Sequence, residues 1–342
     1  MKSAKHYLRC ICLFCHLIFQ SSCENQKESF HDIEQTIKIE KIRNPNELLM
    51  SFHQDAFFIL HNFRTQLDIY RENKLDSAIQ LVEMKQTYAG FEIKGQYVSK
   101  LNYFDLETLA ILKISPNEFH FIDTENPYNV KVLTIDTPST EFISDFTKFD
   151  KNHLIIGTFE FEKLNQFKIH LYNIKNQSSK LLFEETLAHP VAEYIKVFVK
   201  DNKIHLLNPF HQMLLTIDKK GKLLSKRKFS VPVEFNYNFT ENKWYATMEE
   251  FNKAEVDIQE YTRVMDFTLY NDQLLLIVTQ HSDRKTLSRH LIKCALDDTP
   301  TAALMDIQHM PIHFGPNDHL FNYFEKDSLQ YIEITPLSSV FK

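Results

Sequence analysis

The stretch Ile195-Lys196-Val197-Phe198-Val199-Lys200-Asp201-Asn202-Lys203-Ile204-His205-Leu206-Leu207-Asn208 decides the reading of the fold. Two short apolar runs flank an Asp-Asn pair, and Asp and Asn tolerate the left-handed backbone that a tight hairpin turn demands. Continuing to Phe229, the sequence gives a loop (Asn208 to Gln212), a third strand, a turn over Asp218 to Gly221, and a fourth strand. Four consecutive antiparallel strands of this kind make the meander that serves as one blade of a β-propeller.

The same punctuation recurs along the chain. Asp55 precedes Phe57-Phe58-Ile59-Leu60, Asn117 precedes Phe119-His120-Phe121-Ile122, and Asn152 precedes Leu154-Ile155-Ile156. After Asn202 come Asp272 before Leu274 to Val278 and Asp318 before Leu320-Phe321-Asn322-Tyr323. A repeat of pattern rather than identity, spaced by roughly 35–70 residues, predicts six blades with long insertions in some of the connections. Within the cassettes, Leu67 and Ile69 flank Asp68, Phe167, Ile169 and Leu171 alternate with Lys168 and His170, and Ile332 and Ile334 flank Glu333. Such alternation predicts strands with one buried face. In the second cassette little room is left for an outer strand between Asp136 and Phe142. The last cassette supplies three strands, ending near Pro336, and the alternating segment Ile37 to Ile42 is expected to add the fourth. That would close the ring and protect sheet edges. The expectation is an all-β, six-bladed β-propeller of four-stranded antiparallel blades over residues 36–342, the ring closed by an N-terminal strand. Two β-sandwiches would need a linker near the middle, and a β-helix would need shorter, stricter repeats; neither is present.

Composition narrows the function classes. The 342 residues are 43% hydrophobic and 25% charged, as in ordinary globular chains. A formal charge of −6 without a basic excess argues against nucleic acid as a partner. No apolar run reaches the ~18–20 residues of a spanning helix. Five Gly in total leave no Gly-rich phosphate cradle, and no nucleophile elbow, zinc-protease helix or dinucleotide fingerprint is present. No cofactor and no catalytic residue are assigned, and enzymatic activity is not expected.

The N-terminus reads as an address. Lys2, Lys5 and Arg9 precede an apolar run from Cys10 to Phe19, the layout of a signal peptide over residues 1–22. Gln20-Ser21-Ser22-Cys23 then resembles the lipobox of bacterial lipoproteins, although Gln20 stands where that family favours Leu. The resemblance implies lipidation at Cys23, a polar tether over residues 23–35, and a bacterial cell-envelope location. The outer membrane is the expected site, the anchor at Cys23 being the membrane contact. Cys10, Cys12 and Cys15 would leave with the peptide, so only Cys294 remains, in an apolar run where buried packing is expected.

A lipobox-like start, a six-cassette body of roughly 300 residues and units such as Val199-Lys-Asp-Asn-Lys-Ile-His-Leu-Leu-Asn-Pro together resemble the TolB-like six-bladed β-propeller lipoproteins of Bacteroidetes. The resemblance is architectural. It implies an envelope-anchored propeller and carries over no catalytic residues.

Propellers generally bind on the face built from outer-to-inner and second-to-third strand connections. Two long outer-to-inner connections are expected here. Lys85 to Glu107 holds Tyr88, Phe91, Tyr97, Tyr103 and Phe104; Ser230 to Thr262 holds Phe235, Tyr237, Trp244, Tyr245 and Phe251. Part of the second, around Met248 to Tyr261, suits a short helix. Aromatic side chains give large rigid contact area with a polar tip, which suits glycans and peptides. Arg64, in the loop His61-Asn62-Phe63-Arg64, and Arg263 are placed to fork onto an anion at the pore mouth. With His211 in a second-to-third strand loop, the candidate binding residues are Arg64, Tyr97, His211, Trp244, Tyr245 and Arg263. The expected partner is an envelope protein or glycan; the alternative is a hydrolase or lyase with carboxylate, His and Arg converging at the pore. His309 and His313 share a strand face, but Pro311 lies between them and no metal is assigned. Lys219-Lys220-Gly221-Lys222 and Lys226-Arg227-Lys228 read as a solvated turn and edge strand.

Overall fold

The computed structural model describes residues 35–39, 49–53, 56–61, 66–72, 74–80, 83–87, 90–94, 98–105, 108–113, 118–123, 126, 130–135, 141–160, 163–186, 195–209, 212–232, 261–281, 287–296, 301–315 and 318–341. Strand β1 (Gln35–Ile39) comes first. The first sheet holds β2 (Leu49–His53), β3 (Ala56–His61), β4 (Gln66–Arg71) and β5 (Lys74–Gln80). A two-stranded hairpin follows, β6 (Glu83–Thr87) and β7 (Gly90–Lys94). The second sheet holds β8 (Val98–Asp105), β9 (Thr108–Lys113), β10 (Glu118–Asp123) and β11 (Val130–Thr134). The third is β12 (Glu141–Asp150), β13 (His153–Glu160), β14 (Lys163–Asn173) and β15 (Ser178–Thr186). The fourth is β16 (Lys196–Lys200), β17 (Lys203–Asn208), β18 (Met213–Ile217) and β19 (Leu223–Lys228). The fifth is β20 (Tyr261–Tyr270), β21 (Gln273–His281), β22 (Leu287–Cys294) and β23 (Ala302–Leu304). Last come β24 (Met310–Gly315), β25 (His319–Lys326), β26 (Leu329–Pro336) and the one-turn helix α1 (Leu337–Val340).

This is an all-β propeller of four-stranded antiparallel blades. Five blades consist of four consecutive strands, where the sequence suggested six cassettes; the C-terminal cassette contributes three, and β1 occupies the fourth place beside β26. β1 runs antiparallel to β26, with Ile37 opposite Ile332 and Lys38 opposite Tyr331. The innermost strands β2, β8, β12, β16, β20 and β24 are successive neighbours, and β24 also lies against β2.

The stretch from Ile195 folds as read. Asp201 and Asn202 both have positive φ, 51° and 57°, which closes β16 onto β17 as a two-residue turn. Asn271 and Asp272 do the same between β20 and β21, at 48° and 59°. In the turn from β18 to β19, Gly221 adopts φ +87°, and a Cβ there would sit 1.8 Å from the Leu182 carbonyl oxygen of the preceding blade. A glycine is therefore required at that contact.

The second blade departs from expectation. Asn117 was read as preceding a second strand, but Phe119 to Ile122 lie in the third strand, β10. Its predecessors are β8, which occupies the far part of what was read as a long connection, and β9, which starts just beyond it; β11 supplies the outer strand. The shortage of room before Phe142 vanishes with that shift of frame. The hydrophobic pattern of Val98-Ser-Lys-Leu-Asn-Tyr-Phe-Asp is broken, and its register against β9 slips twice, at Val98/Lys100 and Tyr103/Asp105. Tyr103 and Phe104 are thus strand residues rather than loop residues.

Alternation was also read too narrowly. Asp68 is as buried as Leu67 and Ile69, and β17 is buried from Ile204 to Asn208, because a middle strand of a blade has a neighbouring sheet on each face. Apolar clusters fill the junctions between neighbouring sheets. Phe58, Leu60, Leu67 and Ile69 meet Ile122; Phe119 and Leu133 meet Phe146 and Leu154. Ile155 and Ile169 meet Ile204 and Leu215, and Leu207 and Leu214 meet Phe267 and Leu276. Leu275, Ile277 and Leu291 meet Leu320 and Leu337 of α1, while Ile37, Ile332 and Phe321 meet Met50, Phe57 and Ile59. Cys294 packs in one of these junctions at 0% exposure, and burial pushes its thiol up to about 12, so it serves as core and not as a nucleophile. The Lys226 ammonium pairs with Glu185 of β15 at 2.7 Å, and β19, paired among the described strands with β18 alone, is the largely exposed outer edge that was expected.

Candidate functional site

In two innermost strands an aspartate at a mid-strand bulge reaches the next sheet. In β12 the register against β13 slips between Ile143 and Asp145; in β20 it slips against β21 between Val264 and Asp266. A bulge re-aims the side chain that follows it. Asp145 Oδ1 accepts from the N–H of Phe146 at 2.9 Å and Oδ2 from the N–H of Val197, on the neighbouring innermost strand, at 2.8 Å. Asp266 repeats the arrangement, with Phe267 N–H at 2.9 Å and Phe314 N–H at 2.8 Å. Each carboxylate satisfies a backbone donor on the axial edge of the next sheet, where no further strand can do so. They are clamps between blades.

Asp266 has an additional partner. Nδ1 of His313, in β24, contacts its Oδ2, and the imidazole lies tilted against Phe321 at 6.3 Å. Carboxylate and imidazole are only partly exposed, and their contact joins two neighbouring innermost strands. His309, which shares the strand face in sequence, goes elsewhere: it stacks on Phe324 at 4.2 Å, which stacks on Tyr331 at 5.1 Å, and its Nε2 stands 3.8 Å from Glu333. The two histidines do not converge.

Further polar groups connect or line the blades. Lys200, at the end of β16, donates to the Leu269 carbonyl at 2.7 Å and to Asp318 at 3.0 Å, tying three sheets together at the rim that carries the two-residue turns. At the opposite end of β12, buried Glu141 accepts from Lys168 Nζ at 2.7 Å and from Thr158 Oγ1 at 3.3 Å. His170 lies 3.2 Å from Thr158 Oγ1 and 3.2 Å from Ser179 Oγ, and burial lowers its pKa ahead of the opposing pull of Glu141.

His205, 6% exposed and 3.1 Å from Thr216 Oγ1, is pushed down to about 4, first by burial and then by Lys203 and Arg227. It is neutral in the fold at pH 7, whereas the unfolded chain takes up this proton near pH 6.5. His205 therefore favours folding fully above about pH 6.5, and that contribution is lost as pH falls towards about 4. The loss amounts to ~3 kcal/mol at most. His205→Gln should show a smaller loss of stability than the parent between pH 7 and pH 4.5 in urea titrations. Equal losses would remove His205 from the account.

Of the residues chosen from sequence, Arg64, Tyr97, His211, Trp244 and Tyr245 lie outside the described residues, as do Cys23 and the suggested helix around Met248. Arg263 stands on β20 opposite Thr279, three residues before Asp266. Asp145 and Asp266 were missed. What the two share in sequence is an acid followed by Phe within an inner strand, Asp145-Phe146 and Asp266-Phe267.

No family model and no curated protein matches this chain. Among solved structures, it is similar to a putative exported protein from Bacteroides fragilis, at 8% identity and TM-score 0.54, covering 90% of this chain and 95% of that one. A member of the DUF4221 family from Bacteroides vulgatus is similar at 9% identity and TM-score 0.52, with 89% and 96% covered. A luciferin-regenerating enzyme is similar at 12% identity and TM-score 0.50, with 89% and 96% covered. At these identities the likeness is one of fold. No helix among the described residues is long and apolar enough to cross a membrane.

Proposed function

We propose that this chain is a lipid-anchored propeller of the bacterial envelope that binds a protein or glycan partner without catalysing a reaction. Cys23 carries the anchor, the composite sheet acts as a sixth blade that closes the ring through β1, and the partner sits on the loop-bearing rim. The observation that supports this reading most is the asymmetry of the two rims. The connections from first to second strands are short throughout: 54–55, 106–107, 151–152, 201–202, 271–272 and 316–318. Those from outer to next innermost strands include 187–195 and 229–260. Long connections held by a rigid scaffold are where binding residues concentrate. Similarity to an exported Bacteroides protein fits an envelope location.

The test is cross-linking of the full chain in bacterial envelopes, followed by identification of the partner. Cys23→Ala should release the protein from the membrane fraction, and Trp244→Ala with Tyr97→Ala should weaken partner recovery about tenfold, as expected of aromatic anchors. Undiminished recovery would remove the loop-bearing rim from the account. The contact of Asp266 with His313 favours one second reading, a hydrolase or lyase at the axis; it requires that His313→Ala abolish turnover of an envelope substrate while the fold persists.

A further inference from the structure

A pocket of about 330 Å³ opens on the rim opposite the proposed partner surface, at the foot of β20 and β22. Its size lies at the lower end of the ~300–1,000 Å³ range of small-molecule sites. Tyr270 and Asn271 come from the end of β20 and its turn, Gln273 from the start of β21, Lys293 from β22, and Phe341 from the segment after α1. The wall made by Phe341 is fixed. Leu337 is fully buried, the Phe341 N–H donates to its carbonyl at 3.2 Å, and the Phe341 ring stacks on Tyr270 at 5.5 Å.

Three polar side chains line this pocket without a hydrogen bond or ion pair to another side chain among the described residues. Lys293 Nζ lies 5.6 Å from the centre of the Phe341 ring and makes no ion pair among the described residues. The carboxamides of Asn271 and Gln273 likewise make no side-chain hydrogen bond among the described residues. An ammonium over an aromatic ring, without a counter-charge, is an anion site with an apolar floor. Two carboxamides beside it, exposed Asn271 and half-buried Gln273, offer further donors and acceptors that a hydroxyl-bearing acid can use and a purely apolar acid cannot. The complementary molecule has one carboxylate, several hydroxyls and a ring with an apolar C–H face. We propose that this pocket binds a hexuronic acid: the carboxylate on Lys293, hydroxyls on Asn271 and Gln273, the C–H face against the aromatic wall. The site is separate from the loop-bearing rim and does not depend on the partner proposed there.

The experiment is calorimetric titration of the purified chain with sodium glucuronate, with glucose and sodium acetate run alongside. Glucuronate should bind, glucose at least tenfold more weakly, and acetate not measurably. Lys293→Gln should weaken glucuronate binding at least tenfold with an unchanged melting temperature, and Lys293→Arg should restore it. Trp244→Ala with Tyr97→Ala should leave it untouched. No heat with glucuronate, indifference to Lys293→Gln, acetate binding as tight as glucuronate, or loss of binding in the loop double variant would each overturn the proposal.

Discussion

Deleting Gln35–Ile39 is expected to lower the melting temperature more than any single core substitution in this protein. β1 is the far neighbour of β26, and it brings Ile37 and Ile39, 2% and 5% exposed, into a cluster with Met50, Phe57, Phe321 and Ile332. Fully burying an Ile stabilises by roughly 1.5–3 kcal/mol, and the ladder to β26 would be left as an open edge. The combined loss should exceed about 5 kcal/mol, near 10 °C in a chain of this size. Ile37→Asp should reproduce much of the effect, because it buries a charge without a partner. Differential scanning calorimetry reads both variants, and an unchanged transition in either would show that β1 rests on a sheet already stable without it.

Asp145→Ala is expected to be the most damaging substitution of a polar residue. Asp145 is 5% exposed, and its two oxygens satisfy the N–H groups of Phe146 and Val197. Leaving a buried donor unmet costs about 1–3 kcal/mol, so the substitution should cost about 3–4 kcal/mol in a urea titration. Asp145→Asn keeps one acceptor oxygen and should fall between. Asp266→Ala should cost less, since Asp266 lies nearer solvent. Parent-like stability of Asp145→Ala would mean that the bulged aspartates do not join the blades.

The parts of this fold that were legible had local causes. Asp201-Asn202 closes a hairpin through its own backbone preference, and Ile37-Lys38-Ile39 alternates because one side of an outer strand packs. The second blade was misframed because β8 lacks that alternation and slips register twice against β9, so its aromatics looked like loop residues. Asp145 and Asp266 were illegible for a related reason. A bulge resets the period-two phase, and an acid in an inner strand gains its meaning from a backbone N–H 52 or 48 residues away. The meeting of His313 with Asp266 also depends on how two separate sheets sit side by side, which no local pattern encodes.

The pairing of β1 with the sheet of β24, β25 and β26 is tested most directly by native-state hydrogen–deuterium exchange at the amides of β1. Gln35–Ile39 should exchange only with the global opening that also exposes β25 and β26, at one common free energy. Exchange of β1 within seconds, while β25 and β26 stay protected, would contradict it.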